Sequence, residues 1–258
     1  MRFVFPLSFC LVCAVIFFSG CSSKEKPSTP VAVSTPAPTY FKVDPSTAGA
    51  VTGVVHFNGP LPPRKLIDMS NDPACVEAHH GKAYDESLIV HKGAVANAFI
   101  YIQKGLEGKT FEAPATPVTI EQSGCWFRPR VFGIQTGQVL KVVNSDPVTH
   151  NIHPMAQINR EWNHSQGPGD APLIRRFLKP EVMIQVKCNI HSWMHAFIGA
   201  VDNPYYAVTT EDGTFSIADL PAGTYTLAIW QEKLGTQTQQ IIVTPHSTTR
   251  ADFTFKGK

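Results

Sequence analysis

The seven residues Cys188 to Met194 (CNIHSWM) constrain this chain more than any other stretch. They have the form C-x2-H-x2-M, so a thiol, an imidazole and a thioether fall within one short loop. Soft sulfur together with imidazole suits copper, and two His, one Cys and a weak axial Met form a set that serves one-electron exchange. The second imidazole must come from elsewhere in the chain. His150 is the best placed, within Asn144 to His153 (NSDPVTHNIH), because it follows a strand and a turn over Lys141 to Pro147. Phe177 to Lys187 reads as the strand that delivers Cys188. Singly, a buried Cys or Met is ordinary core filling; the joint spacing is what points to a metal. Zinc also takes Cys and His, but no C-x2-C element accompanies them here and a Met donor favours copper.

The paired elements, N-x-D-x-x-x-H-N at Asn144 to Asn151 and C-x2-H-x2-M at Cys188 to Met194, resemble the copper signature of the cupredoxins. The short second loop is similar to that of amicyanin-like members, and the resemblance spans roughly Val118 to Ile198. It implies one type 1 copper site with His150, Cys188 and His191 as equatorial ligands and Met194 as the axial one. It further implies that Asn151 ties the two ligand loops together and that His191 is the partly exposed ligand through which electrons pass. Trp193 would then either contribute to an apolar docking patch or be a plain core aromatic. His153 and His195 stand close enough in sequence to be extra ligands.

The first twenty residues carry one charge, Arg2, and an apolar run from Phe3 to Phe18 that is short for a membrane span. The run ends in Phe18, Ser19, Gly20 and Cys21, which resembles a bacterial lipobox and implies a lipid anchor at Cys21 on the periplasmic side of a membrane, the outer one given Ser22. A plain secretory signal is the alternative. Residues 21–48 are rich in Pro, Ser and Thr and read as an extended tether. Removing Arg2 from the 22 basic residues leaves 21 against 20 acidic ones. That balance offers no basic face for nucleic acid.

Of six cysteines, Cys10 and Cys13 leave with the leader, while Cys21 and Cys188 are assigned to lipid and metal. Cys75 and Cys125 remain. An exported chain favours a disulfide between them. Two free thiols, or Cys75 with His79 and His80 as a second metal cluster, are the alternatives.

From Ala48 onward the pattern is all-β. Short alternating runs such as Val51 to Phe57, Ala96 to Ile102 and Val139 to Val143 are bounded by Gly, Pro and Asn turns. Leu61 to Glu86 is a long irregular stretch whose only helical prospect is Pro73 to His79. Cys125 to Ile134 is broken by Pro129 and reads as an edge or bulged strand. Near the end, Thr209 to Phe215 (TTEDGTF) and Leu220 to Tyr225 (LPAGTY) resemble the carboxypeptidase regulatory-like, transthyretin-like β-sandwich. The expected organisation is therefore a leader over 1–20, a tether over 21–48, a cupredoxin-like Greek-key sandwich over 49–200 and a small sandwich over 201–258.

Three functions fit this reading. The first is a membrane-tethered electron carrier with a redox partner protein. The second is a copper-delivery protein, and the third a surface module that stacks a carbohydrate on Tyr205, Tyr206 or Trp230. No nucleophile or acid–base constellation is visible, so an enzyme is not expected.

Overall fold

The strand Ala48–Asn58 alternates part-buried and buried residues along its first eight positions, as a half-covered strand should. Its partners lie at the far end of the chain. It runs antiparallel to Thr214–Pro221 and parallel to Thr248–Arg250 and Phe253–Lys256. A second sheet, ordered Tyr206–Val208, Phe99–Lys104, Gly223–Gln231 and Gly235–Val243, packs over it. Val51, Val55, Ile100, Phe215, Leu227 and Phe253 fill the space between.

A boundary at residue 200 therefore does not follow the strand pairing. Strands from 48–104 complete the C-terminal sandwich, so that sandwich is discontinuous in sequence and residues 49–200 are not one domain. The reason is physical: the C-terminal strands alone leave apolar faces that need Val51, Val55, Ile100 and Ile102 to cover them.

These features belong to residues 38–257, which a computed structural model describes. The leader, Cys21 and the tether through residue 37 lie outside the described residues. From Thr39 on the chain is one unit, all-β apart from the helix Pro73–Ala78. No helix among the described residues is long and apolar enough to cross a membrane.

The second sandwich carries the metal-type loops. One sheet orders Leu173–Arg175, Leu140–Asn144, Val118–Ser123 and Trp126–Arg128; the other orders His164–Gln166, His150–Pro154, Glu181–Lys187, His195–Val201 and Val131–Gln135. Ile120, Phe127, Leu140, Ile152, Ile184 and Ile198 lie within its core. Pro129 does more than notch an edge. It separates Trp126–Arg128 from Val131–Gln135, which join opposite sheets, because a residue without an N–H cannot continue a ladder.

The sandwiches meet at a slot of bare backbone. Gly133 and Gly199 are opposite one another in the parallel pair. A Cβ on Gly199 would lie 2.3 Å from the Phe99 ring, and one on Gly133 would lie 2.2 Å from Tyr206. Only glycine lets those rings lie so close to the sheet. The strand that leaves Met194 is thus clamped by the neighbouring sandwich.

The stretch between the first and second visits to the C-terminal sandwich is an excursion, not an irregular loop. Leu66–Ile67 pairs with Ala83–Tyr84, and between them stands Pro73–Ala78. The helix starts where Asp72 accepts hydrogen bonds from the amides of Ala74 (3.1 Å) and Cys75 (3.3 Å), with Pro73 at its first position. Cys75 is joined to Cys125, and Glu86 pairs with Arg128 at 2.6 Å. These two links fasten the excursion to the second sandwich.

Candidate metal centre

Two loops at one end of the second sandwich bring His150, Cys188 and His191 together. Their donor atoms lie within 4.8 Å of one another. The Nδ1 atoms of the two imidazoles face each other across 3.0 Å, and Cys188 Sγ lies 3.8 Å from His191 Nδ1. All three side chains are buried, as is Met194. The Cys188 loop is closed by its own backbone: Cys188 N donates to Met194 O (3.1 Å), and Met194 N donates to His191 O (3.0 Å). Asn151 Oδ1 accepts from Asn189 N at 2.8 Å, which joins the His150 strand to the Cys188 loop.

The outer nitrogens fix the tautomers. His150 Nε2 donates to Asp146 Oδ2 at 2.7 Å, and His191 Nε2 donates to Asp72 Oδ2 at 2.9 Å. A carboxylate can only accept, so each Nε2 carries a proton and each Nδ1 is the nitrogen turned inward, free to offer a lone pair to a metal once it holds no proton of its own. Two imidazole nitrogens and a sulfur therefore converge in a buried corner. Such a cluster could hold a cation at its centre in place of the His150 proton, and nitrogen–nitrogen–sulfur donors suit copper. The residues fit that metal.

The titration behaviour follows the same geometry. Burial opposes a charge on Cys188, but the His150 ring and the amides of His191, Asn151 and Ile190 outweigh it and bring the thiol down to about 6. Burial likewise opposes a charge on His150, yet Asp146 and Cys188 bring its ring up to about 9. Asp72 is held below the ordinary carboxylate range chiefly by the His191 hydrogen bond. Burial works against Asp146, but His150 and the amides of Cys125 and Gly124 override it and hold that carboxyl low as well. A thiol near 6 is already thiolate at neutral pH, the form a metal requires.

His191 is not the exposed ligand that the cupredoxin resemblance implies. It is 4% exposed, because the excursion places Asp72 over its outer edge. Trp193 sits under the same cover, half-buried, with Nε1 donating to Cys125 O at 3.2 Å and its ring 5.1 Å from that of His191. It packs against the core and forms no open docking patch. The disulfide lies directly behind, since Cys75 groups with Asp72 and His191, and Cys125 with Asp146 and His150, each set within 4.8 Å. Being bonded to each other, the two sulfurs offer no second metal site. His79 instead contacts Gly124 O at 2.6 Å.

His153 and His195 are not brought into the donor group. His153 turns outward to Glu161 (2.5 Å) and Asn189 (3.4 Å). His195 keeps a buried Nδ1 without a protein partner, and burial followed by the nearby Arg130 charge lowers its pKa.

Sequence reasoning missed Asp72 and saw no role for Asp146. Both had a signal: Asp72 directly precedes Pro73, a helix-start pair, and Asp146 stands four residues before His150.

No curated protein matches the sequence. Among solved structures, a Cu-containing nitrite reductase (NirK) from Thermus scotoductus SA-01 is 24% identical over 39% of this chain and 25% of its own, with a TM-score of 0.32. A purple cupredoxin from Nitrosopumilus maritimus is 18% identical over 32% of this chain and 98% of its own, with a TM-score of 0.28. An oxidised amicyanin variant is 12% identical over 39% and 97%, with a TM-score of 0.30. Residues 196–256 match the carboxypeptidase regulatory-like domain, so the C-terminal part of this chain carries that domain.

Proposed function

We propose that this chain is a type 1 copper protein that passes single electrons outside the cytoplasm, tethered to a membrane by lipid at Cys21. The observation that carries this reading is the inward convergence of His150 Nδ1, His191 Nδ1 and the Cys188 thiolate, with each imidazole backed by a carboxylate. When bound, copper supplies a one-electron couple between Cu(I) and Cu(II). The chain's contribution is to fix two tautomers, keep a thiolate ready and exclude water. Met194, buried in the same loop, is the axial candidate.

Delivery of copper as cargo is less well supported. Transfer needs exchangeable ligands at the surface, whereas these are buried and fastened from behind. A sugar platform fares no better: Tyr205 is buried, Tyr206 covers Gly133, and Trp230 packs 4.8 Å from Phe197.

Absorption and EPR spectra of the copper-loaded protein test the reading. An intense thiolate-to-copper visible band is expected, and Cys188→Ser should abolish it. Met194→Gln should retain Cu(II) and lower the reduction potential, because an oxygen donor stabilises the oxidised ion, while Met194→Leu should raise it. A tetragonal copper spectrum indifferent to Cys188→Ser would overturn the assignment.

A further inference from the structure

With His191 covered by Asp72, electrons need another way to the surface, and one face offers it. Residues from the segments 158–163 and 175–179 line a cleft of 690 Å3. Arg160, Arg175, Arg176 and Lys179 line it, and none of them takes part in an ion pair among the described residues. Glu161, the one acidic side chain in the lining, is occupied by His153. Four free positive charges on one face of a chain whose net charge is +2 are a local concentration. Apolar groups stand among them. Leu178 is 74% exposed and Ile158 57% exposed, and half-buried Trp162 lies under the Arg175 guanidinium at 5.3 Å. Aromatic and Arg-rich surface with exposed apolar contacts is what docking patches are made of.

This face is also wired to the donor loops. Asn189, the residue after Cys188, gives its amide to Asn151, and Asn151 hydrogen-bonds in turn to Asn163 at the cleft. A second route runs from Asn189 Oδ1 to His153 Nδ1 and from His153 Nε2 to Glu161. Electron tunnelling is favoured by covalent and hydrogen-bonded steps over gaps, so the cleft is two hydrogen bonds from a ligand loop.

Resting on the copper reading above, we infer that the cationic face at 158–179 is the docking surface for a redox partner with an acidic surface, and that electrons cross there instead of at His191. The sign of charge separates the two ports. An acidic partner is attracted to four unpaired cations and repelled by Asp72, and such steering changes association rates by about ten- to a thousandfold.

The experiment has two arms. In the copper-free protein, a poly-glutamate peptide should shift the backbone amide signals of 158–163 and 175–179, less so as salt rises. Arg160→Glu with Lys179→Glu should remove the shifts. Their side chains make no hydrogen bond among the described residues, so folding is not at stake; Lys104→Glu with Lys256→Glu, on the other sandwich, should have no effect. In the copper-loaded protein, the same Arg160/Lys179 variant should slow electron exchange with hexacyanoferrate(III) about tenfold at low salt, leave exchange with hexaammineruthenium(III) equal or faster, and keep the potential and visible spectrum. Shifts that fall elsewhere, or an unchanged hexacyanoferrate rate, would overturn the docking surface. A wild-type protein with no visible copper band would overturn the copper reading, and the peptide arm would still judge the surface.

Discussion

The two sandwiches are built from the same kind of strand but differ in what they bury. The C-terminal sandwich fills its centre with Val51, Ile100, Phe215, Leu227, Phe253 and their neighbours, and Tyr205 and Tyr225 each bring in a hydroxyl. The metal-type sandwich buries His150, Cys188, His191, Asn144, Asn151 and Gln166 at one end, and nearly all of them are hydrogen-bonded to one another or to backbone. Burying polar groups is costly unless each finds a partner. A fold keeps so many of them in one corner when they serve a chemical purpose. The other sandwich supplies strand partners and the two rings that fill the Gly133–Gly199 slot. The proposed copper function therefore takes its donors from one half, and the positioning of that half draws on both.

The largest expected stability effect lies where the excursion is fastened to the metal corner. Reducing the Cys75–Cys125 bond frees a loop with a sequence separation of 50 residues, a change worth about 4 kcal/mol in the chain-entropy model. Urea unfolding of the copper-free protein with and without reductant measures it. A loss below about 1 kcal/mol would mean that the excursion holds its place without the staple. Next comes Asp146→Ala, which strands the amides of Gly124 and Cys125 as well as His150 Nε2. Breaking a buried hydrogen-bonded pair costs about 3 kcal/mol, and the copper-loaded form should also show a raised potential, because an imidazole without its carboxylate is a weaker donor to the oxidised ion.

These two effects also show why one part of the molecule was legible in the sequence and another was not. Cys188 and His191 lie three residues apart in one loop, so spacing alone singles them out, with Met194 as the axial candidate beside them. His150 has a local signature of its own in Asn144 to Asn151. The LPAGTY turn at Leu220 to Tyr225 is equally local. The pairing of Ala48–Asn58 with strands from 214–256 is not. Alternation tells that a strand has one buried face but not whose face covers it, and adjacency in sequence favoured the wrong neighbour. The cap over His191 was hidden for the same reason, since Asp72 reaches His191 across 119 positions. Local spacing brings out His150, Cys188 and His191, which the fold groups together, but not the carboxylate that covers His191.

Gly199→Ala tests whether the apolar half positions the functional one. The new Cβ would meet the Phe99 ring at 2.3 Å, and overpacking of this kind costs about 2 kcal/mol. The strain falls on His195–Val201, the strand that leaves Met194, so the visible copper band should shift or broaden although no donor has changed. If stability drops while the spectrum of the loaded protein stays identical, the two halves are mechanically independent.

Tyr205→Phe carries the smallest effect and the opposite sign. Tyr205 is 3% exposed, and its ring meets Phe111 edge-on at 5.6 Å. Its hydroxyl is buried with no protein hydrogen-bond partner, and burial pushes its pKa up. In the metal corner, deleting a polar atom orphans the groups bonded to it. Here nothing is orphaned, so removing the oxygen relieves a desolvation cost and loses only its packing. Stability should stay level or rise by up to about 1 kcal/mol, read as a shift in the urea midpoint with an unchanged slope. A loss of more than about 1 kcal/mol would show that the hydroxyl is satisfied through a bridging water, and the C-terminal sandwich would then hold a polar site of its own.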